Sequence, residues 1–298
     1  MTSATLTERM IISAFRLGTR AVWLRTKKTK SHVPVRVETH SYGDHKHETL
    51  DVLAPANRSD HKPLVVYLHG GGWFSGSKDW YNADLQFLCE AGYEVFNLDY
   101  PLAPETQHPN IARSVYKALL WIKGQRPDAT HIHLMGDSSG GNLAGLTSLA
   151  LTNPNSSFSD TVRQGADICF DVASLVALYG VMERGDVIRN IEKKGIWVPK
   201  LMFKLYAGPN ALAPHVDQGQ PITPMDMDWE QHPPCFQAVG SKDFLIQSVK
   251  DYHAHIDSKG VPSEMKIYDD ANHGFFNNPD RPQTAELKQD VLRFLAQH

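Results

Sequence analysis

Between residues 35 and 68 the chain changes its hydrophobic rhythm. Residues 35–42 and 46–53 are strand-like runs joined at Gly43-Asp44, a dipeptide suited to a tight turn, and together they predict an antiparallel hairpin at a sheet edge. Leu64-Val65-Val66-Tyr67-Leu68 is apolar without a break. An unbroken run predicts a strand covered on both faces. Further strand candidates follow at 93–98, 131–135, 174–179, 235–239 and 264–268, most of them separated by enough chain for a crossover helix. Residues 110–124 place Ile111, Val115, Leu119 and Ile122 on one helical face, and Leu287, Val291, Phe294 and Leu295 repeat the pattern near the C-terminus. The expected fold is α/β: a mostly parallel central sheet with helices on both faces.

Two stretches break this alternation. Between Gly180 and Pro221 the chain carries Met182, Ile188, Ile191, Trp197, Val198, Leu201, Met202 and Phe203, which predicts a small helical cap inserted at about 181–220. Its helix should stop near Tyr206-Ala207-Gly208-Pro209. Residues 9–24 mix apolar and basic side chains, and Arg16 and Arg20 interrupt any span long enough to cross a bilayer. An amphipathic helix docked on the domain is the reading taken here. A membrane-surface anchor over residues 9–30, reinforced by Lys27, Lys28 and Lys30, is the alternative. The expected organisation is an N-terminal helix and edge segment over 1–45, belonging with the cap, and a main domain over 46–298.

Composition narrows the function classes. The chain has 298 residues, 41 % hydrophobic and 21 % charged, which is enough apolar mass for one large sheet. A formal net charge of −3 supplies no field for a phosphate backbone, so nucleic acid is not an expected partner. Cys89, Cys169 and Cys235 match no metal-ligand spacing and cannot all pair within the chain; buried thiols in a reducing, cytoplasmic setting are expected.

The chemistry is carried by Gly136-Asp137-Ser138-Ser139-Gly140, a G-x-S-x-G placed after a strand and before a helix. A nucleophile elbow needs that context, because the glycines permit the sharp turn that lifts the serine Oγ above the sheet. A second glycine loop, His69-Gly70-Gly71-Gly72, follows the apolar strand 64–68. Backbone N–H groups of Gly70, Gly71 and Ser139 are the expected oxyanion hole. A serine hydroxyl needs a histidine base, and that base needs a carboxylate to hold its tautomer. Of 15 histidines, His273 stands out in Asn272-His273-Gly274, just past the last strand candidate. Asp243 lies at the carboxyl end of 235–239, where ligand loops of open sheets gather. Its rivals are Asp226, Asp228 and Asp251. Trp73 and Phe74, next to the glycine loop, are candidates for substrate-binding walls. Weaker clusters point to plainer readings: His40, His45 and His47 to a polar hairpin tip rather than a metal site, and Asp269 and Asp270 to a solvated loop.

Taken together, His69-Gly-Gly-Gly72, Gly136-Asp-Ser-Ser-Gly-Gly141, Asp243 and Asn272-His273-Gly274 resemble the hormone-sensitive-lipase-like family of α/β-hydrolases, from about residue 50 onward. Asp99-Tyr100-Pro101-Leu102-Ala103-Pro104-Glu105 is similar to that family's Asp-Tyr-Arg-Leu-Ala-Pro-Glu segment. The resemblance implies esterase activity on uncharged carboxylic esters, a cap near the N-terminus, a small-molecule partner, and no metal or organic cofactor. Pro101 stands where the family usually has arginine, so that arginine's ion pair cannot be carried over. The expected activity is hydrolysis of short- to medium-chain esters. An arylformamidase-type amidohydrolase with the same triad is the first alternative, and a non-catalytic ligand-binding protein on this fold the second.

Overall fold

The computed structural model describes residues 5–25, 35–55, 63–167, 170–185, 187–189, 197–213, 217 and 219–298. Eight strands form one sheet: β1 (Val35–Ser41), β2 (Thr49–Pro55), β3 (Leu64–Leu68), β4 (Val95–Leu98), β5 (His131–Asp137), β6 (Asp171–Leu178), β7 (Cys235–Gly240) and β8 (Ser263–Tyr268). Their order is β1-β2-β4-β3-β5-β6-β7-β8. Strands β1 and β2 run antiparallel to their neighbours and all later pairs are parallel.

The apolar run of β3 divides between two cores. Leu64, Val66 and Leu68 face one, and Val65 and Tyr67 the other. Strand β6 splits likewise, Leu175 and Ala177 against Val176 and Leu178. On the first face lie helices α3 (Asn110–Gln125) and α4 (Ser139–Thr152); on the second lie α2 (Gln86–Glu90) and the C-terminal helix α8 (Pro282–Leu295). This two-sided burial is why the strands read as continuous apolar runs rather than alternating ones.

The hairpin differs from expectation at its turn. The two strands are joined by residues 42–48 instead of a two-residue turn at Gly43-Asp44. The Glu48 carboxylate accepts from Lys117 Nζ at 2.9 Å, Ser114 Oγ at 3.1 Å and the His45 N–H at 3.2 Å, so the loop is tied to α3. Those bonds hold 46–48 out of the ladder.

Parallel register sets the site. Leu68 pairs with Gly136, Gly136 with Ala177, Leu178 with Ala238, and Gly240 with Tyr268. The loops after β3, β5, β7 and β8 therefore leave the sheet along one edge, at its carboxyl end.

Beyond β6 the chain leaves the sheet, and Asn142 on α4 holds both ends of the excursion. Its amide donates to the Val181 carbonyl at 2.9 Å and to the Ile222 carbonyl at 3.0 Å. Within it, α6 (Trp197–Ala207) ends at Gly208, whose φ of +87° suits glycine. Helix α5 (Ser157–Arg163) packs on α3, and α7 (Ile246–Ser258) precedes β8.

The N-terminal helix α1 (Leu6–Arg25) docks through Ile12, which is buried in the same core as Trp73, Phe74 and Phe203. Lys27, Lys28 and Lys30 lie outside the described residues, as does Cys169. Among the described residues, no helix is long and apolar enough to cross a membrane.

Candidate active site

Strand β5 ends in Gly136-Asp137 and α4 begins at Ser139, leaving Ser138 on the corner with φ 51°, ψ −120°. A methyl group on Gly136 would overlap the Gly140 carbonyl, and one on Gly140 would overlap the Leu68 carbonyl. Only glycine lets the strand and helix approach this closely. The Ser138 N–H is fixed to the Leu178 carbonyl at 2.8 Å.

The side chains expected to act together do meet. Ser138 Oγ lies 3.0 Å from His273 Nε2, and His273 Nδ1 lies 3.1 and 3.0 Å from the two Asp243 oxygens. Asp243 is 3 % exposed and also accepts the Leu245 N–H at 2.8 Å, so its orientation is set by its own loop. The rivals are engaged elsewhere: Asp226 pairs with Arg184 and Asp251 with Arg189. The imidazole is sandwiched between two rings, Tyr179 edge-on at 4.9 Å and Phe244 at 4.6 Å. Phe244 is 61 % exposed.

The glycine loop departs from expectation. The Gly70 N–H donates to Asp137 Oδ1 at 2.7 Å and is therefore committed. The N–H groups of Gly71 and Gly72 have no partner among the described residues. The Ser139 N–H opens α4, where the first amides of a helix lack intrahelical acceptors.

Asp137 also accepts from Tyr67 at 2.8 Å and Tyr81 at 3.1 Å. Burial pushes its carboxyl above the ordinary range even against these donors. One residue before Ser138, it joins the elbow to the glycine loop. The motif pattern gave Asp137 no role, because only its position between β3 and β5 reveals one.

His69 extends the brace. Its ring stacks on Tyr100 at 4.4 Å, with Nδ1 2.8 Å from the Gly70 carbonyl and Nε2 3.3 Å from Asp99. Burial raises the Asp99 carboxyl, but the His69 bond and the Lys78 N–H outweigh it and hold it below the usual value.

Trp73 and Phe74 do not form open walls. Trp73 is 1 % exposed, stacks on Tyr206 of α6 at 4.2 Å and donates to Asn142 at 3.3 Å. Phe74 is buried against Phe15 of α1 at 5.0 Å. A positive φ of 65° at Trp73 turns its ring inward, under α6. Apolar groups beside the site are instead Phe244, against the imidazole, and Met202, whose methyl a side chain at Gly72 would strike.

The segment that carries Pro101 is reached by an ion pair from α1. Arg16 meets Glu105 through two nitrogens at 3.0 and 2.9 Å, and donates to the carbonyls of Phe74 at 2.7 Å and Ala103 at 2.9 Å. One guanidinium thus ties the end of the glycine loop to the 99–105 segment.

A family profile described as alpha/beta hydrolase fold matches residues 65–277. The chain belongs to that family, in the branch of hormone-sensitive-lipase-like esterases, and is an esterase of the α/β-hydrolase fold. Among its relatives, an esterase of Acinetobacter venetianus is 29 % identical over 243 residues, covering 78 % of this chain and 74 % of that one. Isoprenylcysteine alpha-carbonyl methylesterase ICME of Arabidopsis thaliana is 23 % identical over 265 residues; the match covers 84 % of this chain and 60 % of that longer protein. Esterase B of Lactobacillus rhamnosis, solved with an inhibitor, superposes with a TM-score of 0.81 at 19 % identity, covering 97 % of this chain and 96 % of that one.

Proposed function

We propose that this esterase is a carboxylesterase for short- to medium-chain esters, working through Ser138, His273 and Asp243. The observation that carries the reading is the unbroken line from Ser138 Oγ through both nitrogens of His273 to a buried carboxylate. His273 takes the Ser138 proton as the oxygen attacks the ester carbonyl. The carbonyl oxygen becomes negative in a cradle of N–H groups from Gly71, Gly72 and Ser139, with Gly70 holding that cradle in place through Asp137. His273 then protonates the departing alcohol, and the acyl-enzyme is hydrolysed by water in the mirror sequence. Asp243 remains ionised and keeps Nδ1 protonated.

The walls of the site support that substrate scope. Phe244 offers an exposed apolar face beside the imidazole, and Met202 of α6 lies over the glycine loop, which suits an uncharged ester of limited size. Esterase B of Lactobacillus rhamnosis, captured with a C4-C4 tributyrin phosphonate, agrees with that range.

The test is a p-nitrophenyl ester series from acetyl to palmitoyl, run on wild type and Ser138→Ala, with an N-formyl aromatic amide alongside. Serine-dependent turnover peaking at short chains is expected. Ser138→Ala retaining more than about a hundredth of the rate would sink the triad. Preferential turnover of the amide would move the protein to the amidohydrolase reading.

A further inference from the structure

Phe244 directly follows Asp243, and its ring is left largely in water. Among the described residues, the large apolar side chains that stand exposed include two phenylalanines, Phe15 and Phe244. Phe15 packs against Phe74, whereas the ring that Phe244 meets is the imidazole of His273, at 4.6 Å and an angle of 43°. The backbone beneath Phe244 is fixed without its ring. The Asp243 N–H donates to the Gly240 carbonyl at 3.1 Å, the Leu245 N–H to Asp243 Oδ1 at 2.8 Å and the Ile246 N–H to the Asp243 carbonyl at 3.3 Å. Leu245 is buried, so the turn is anchored on the far side as well. An exposed apolar ring that holds no turn in place is a surface waiting for an apolar contact.

The position of that surface says which part of an ester it meets. Tyr179 closes one flank of the imidazole and is fully buried; Phe244 covers another flank and is open to solvent. In the reaction proposed above, His273 Nε2 hands a proton to the departing alcohol oxygen, which must come within about 2.6–3.2 Å of that nitrogen. The acyl carbonyl is held elsewhere, by N–H groups of the glycine loop and of Ser139, with Met202 of α6 over that loop. The group attached to the departing oxygen is thus the part of the ester closest to the open flank of His273.

We infer that Phe244 is an alcohol-side specificity residue, whose ring stacks with an aromatic group one or two bonds from the ester oxygen and so favours esters of arylmethyl alcohols. The inference rests on the triad reading and adds the alcohol half of the substrate to it. Aromatic pairs suit this role, because ring quadrupoles contribute beyond the area they bury. The same contact serves the reverse step. An alcohol seated against Phe244 attacks the acyl-enzyme carbonyl, His273 takes its proton and returns it to the leaving Ser138 oxygen, and a new ester departs.

The test compares benzyl acetate with ethyl acetate on wild type, Phe244→Ala and Phe244→Tyr. The two leaving alcohols are of similar acidity, so the ratio of their kcat/KM values reports contact with the alcohol. Wild type is expected to favour the benzyl ester, Phe244→Ala to lower that ratio by about tenfold, and Phe244→Tyr to keep it. The ratio of benzyl butyrate to benzyl acetate should be the same in all three. In a second assay p-nitrophenyl acetate loads the acyl-enzyme, and benzyl alcohol or ethanol competes with water for it. Phe244→Ala should lower the yield of benzyl acetate relative to ethyl acetate by the same factor. Equal loss on both acetates would mean that the ring only positions the imidazole, and a shift confined to the acyl ratio would put it on the acyl side; either result overturns the inference. Failure of the triad reading is seen separately, as turnover that survives Ser138→Ala.

Discussion

Replacing Asp137 separates two ways in which a buried carboxylate could serve the site, by its charge or by its hydrogen-bond positions. Tyr67 and the Gly70 N–H converge on Oδ1, and Tyr81 reaches Oδ2. In Asp137→Ala all three donors lose their acceptor inside a dry pocket, at about 1–3 kcal/mol each before relaxation. A net loss of about 3–5 kcal/mol is expected, lowering Tm by on the order of 10 °C for a chain of this size. The glycine loop also loses its tie to the elbow, and a misplaced donor at a developing oxyanion costs about a hundredfold in kcat. Asp137→Asn should behave differently. Its amide oxygen can occupy the Oδ1 position and keep Gly70 and Tyr67, while the Tyr81 hydroxyl turns to accept from the new NH₂. Since burial already pushes the native carboxyl up, removing the charge is not costly in itself. The Asn variant is expected within about tenfold of wild type in kcat, and within a few degrees in Tm. Thermal melts and short-ester kinetics on both variants decide the matter. A folded Ala variant with wild-type kcat would refute the brace, and an Asn variant as impaired as Ala would show that charge, not geometry, is what matters.

Arg16→Ala should cost about 2–3 kcal/mol, chiefly from the two part-buried carbonyl bonds, and Arg16→Lys should restore little because lysine cannot fork between Glu105 and two carbonyls; a melting point within a degree of wild type would contradict this. Acid should destabilise the fold steeply. Burial lowers His108 and His133 to about 3 and His232 to about 4, so in the native state all three stay neutral where the unfolded chain takes up protons below roughly pH 6.5. The unfolded state then binds more protons, and stability falls by up to about 4 kcal/mol per pH unit between roughly pH 6 and 4. A urea midpoint unchanged between pH 7 and 4.5 would contradict it. Burial also pushes the Cys89 thiol up to about 12, and Cys235 is raised by the same cause. Neither should be alkylated by iodoacetamide at pH 8 until the chain unfolds, as peptide mass mapping would read; labelling of the native protein at a free-thiol rate would count against their burial.

All eight strands fell on candidate runs, but only inner ones such as β3 and β6 stood out as apolar, because a doubly covered parallel strand leaves that mark on sequence, whereas the outer β1 and β8 are mixed and partly exposed. Their carboxyl ends also pointed to Ser138, Asp243 and His273. The bonds that position these residues were hidden. Asp137 reads as motif filler until β3 and β5 are set side by side, and Gly70 reads as an oxyanion donor until Asp137 is seen to occupy its N–H. Trp73 and Phe74 looked like pocket walls because adjacency along the chain says nothing about a positive φ that swings a ring under α6. The arginine missing at Pro101 was readable, but the Arg16–Glu105 pair was not: the two residues lie 89 apart, and nothing local connects them. The long loop at 42–48 was missed for a similar reason, its anchor Lys117 being on another element.

Strand order also governs when the site comes into being. Ser138 and His273 are 135 residues apart, and between their strands stand β6 and β7, each parallel to its neighbour and each reached only by a long crossover. Closing such connections is entropically slow, so β8 and the loop that bears His273 are expected to join the sheet late in refolding. A refolding chain can regain most of its helical signal and much of its core while the imidazole is still absent from the serine. Recovery of hydrolysis is therefore a stricter clock than recovery of structure, and the lag between the two measures the docking of the outermost strand.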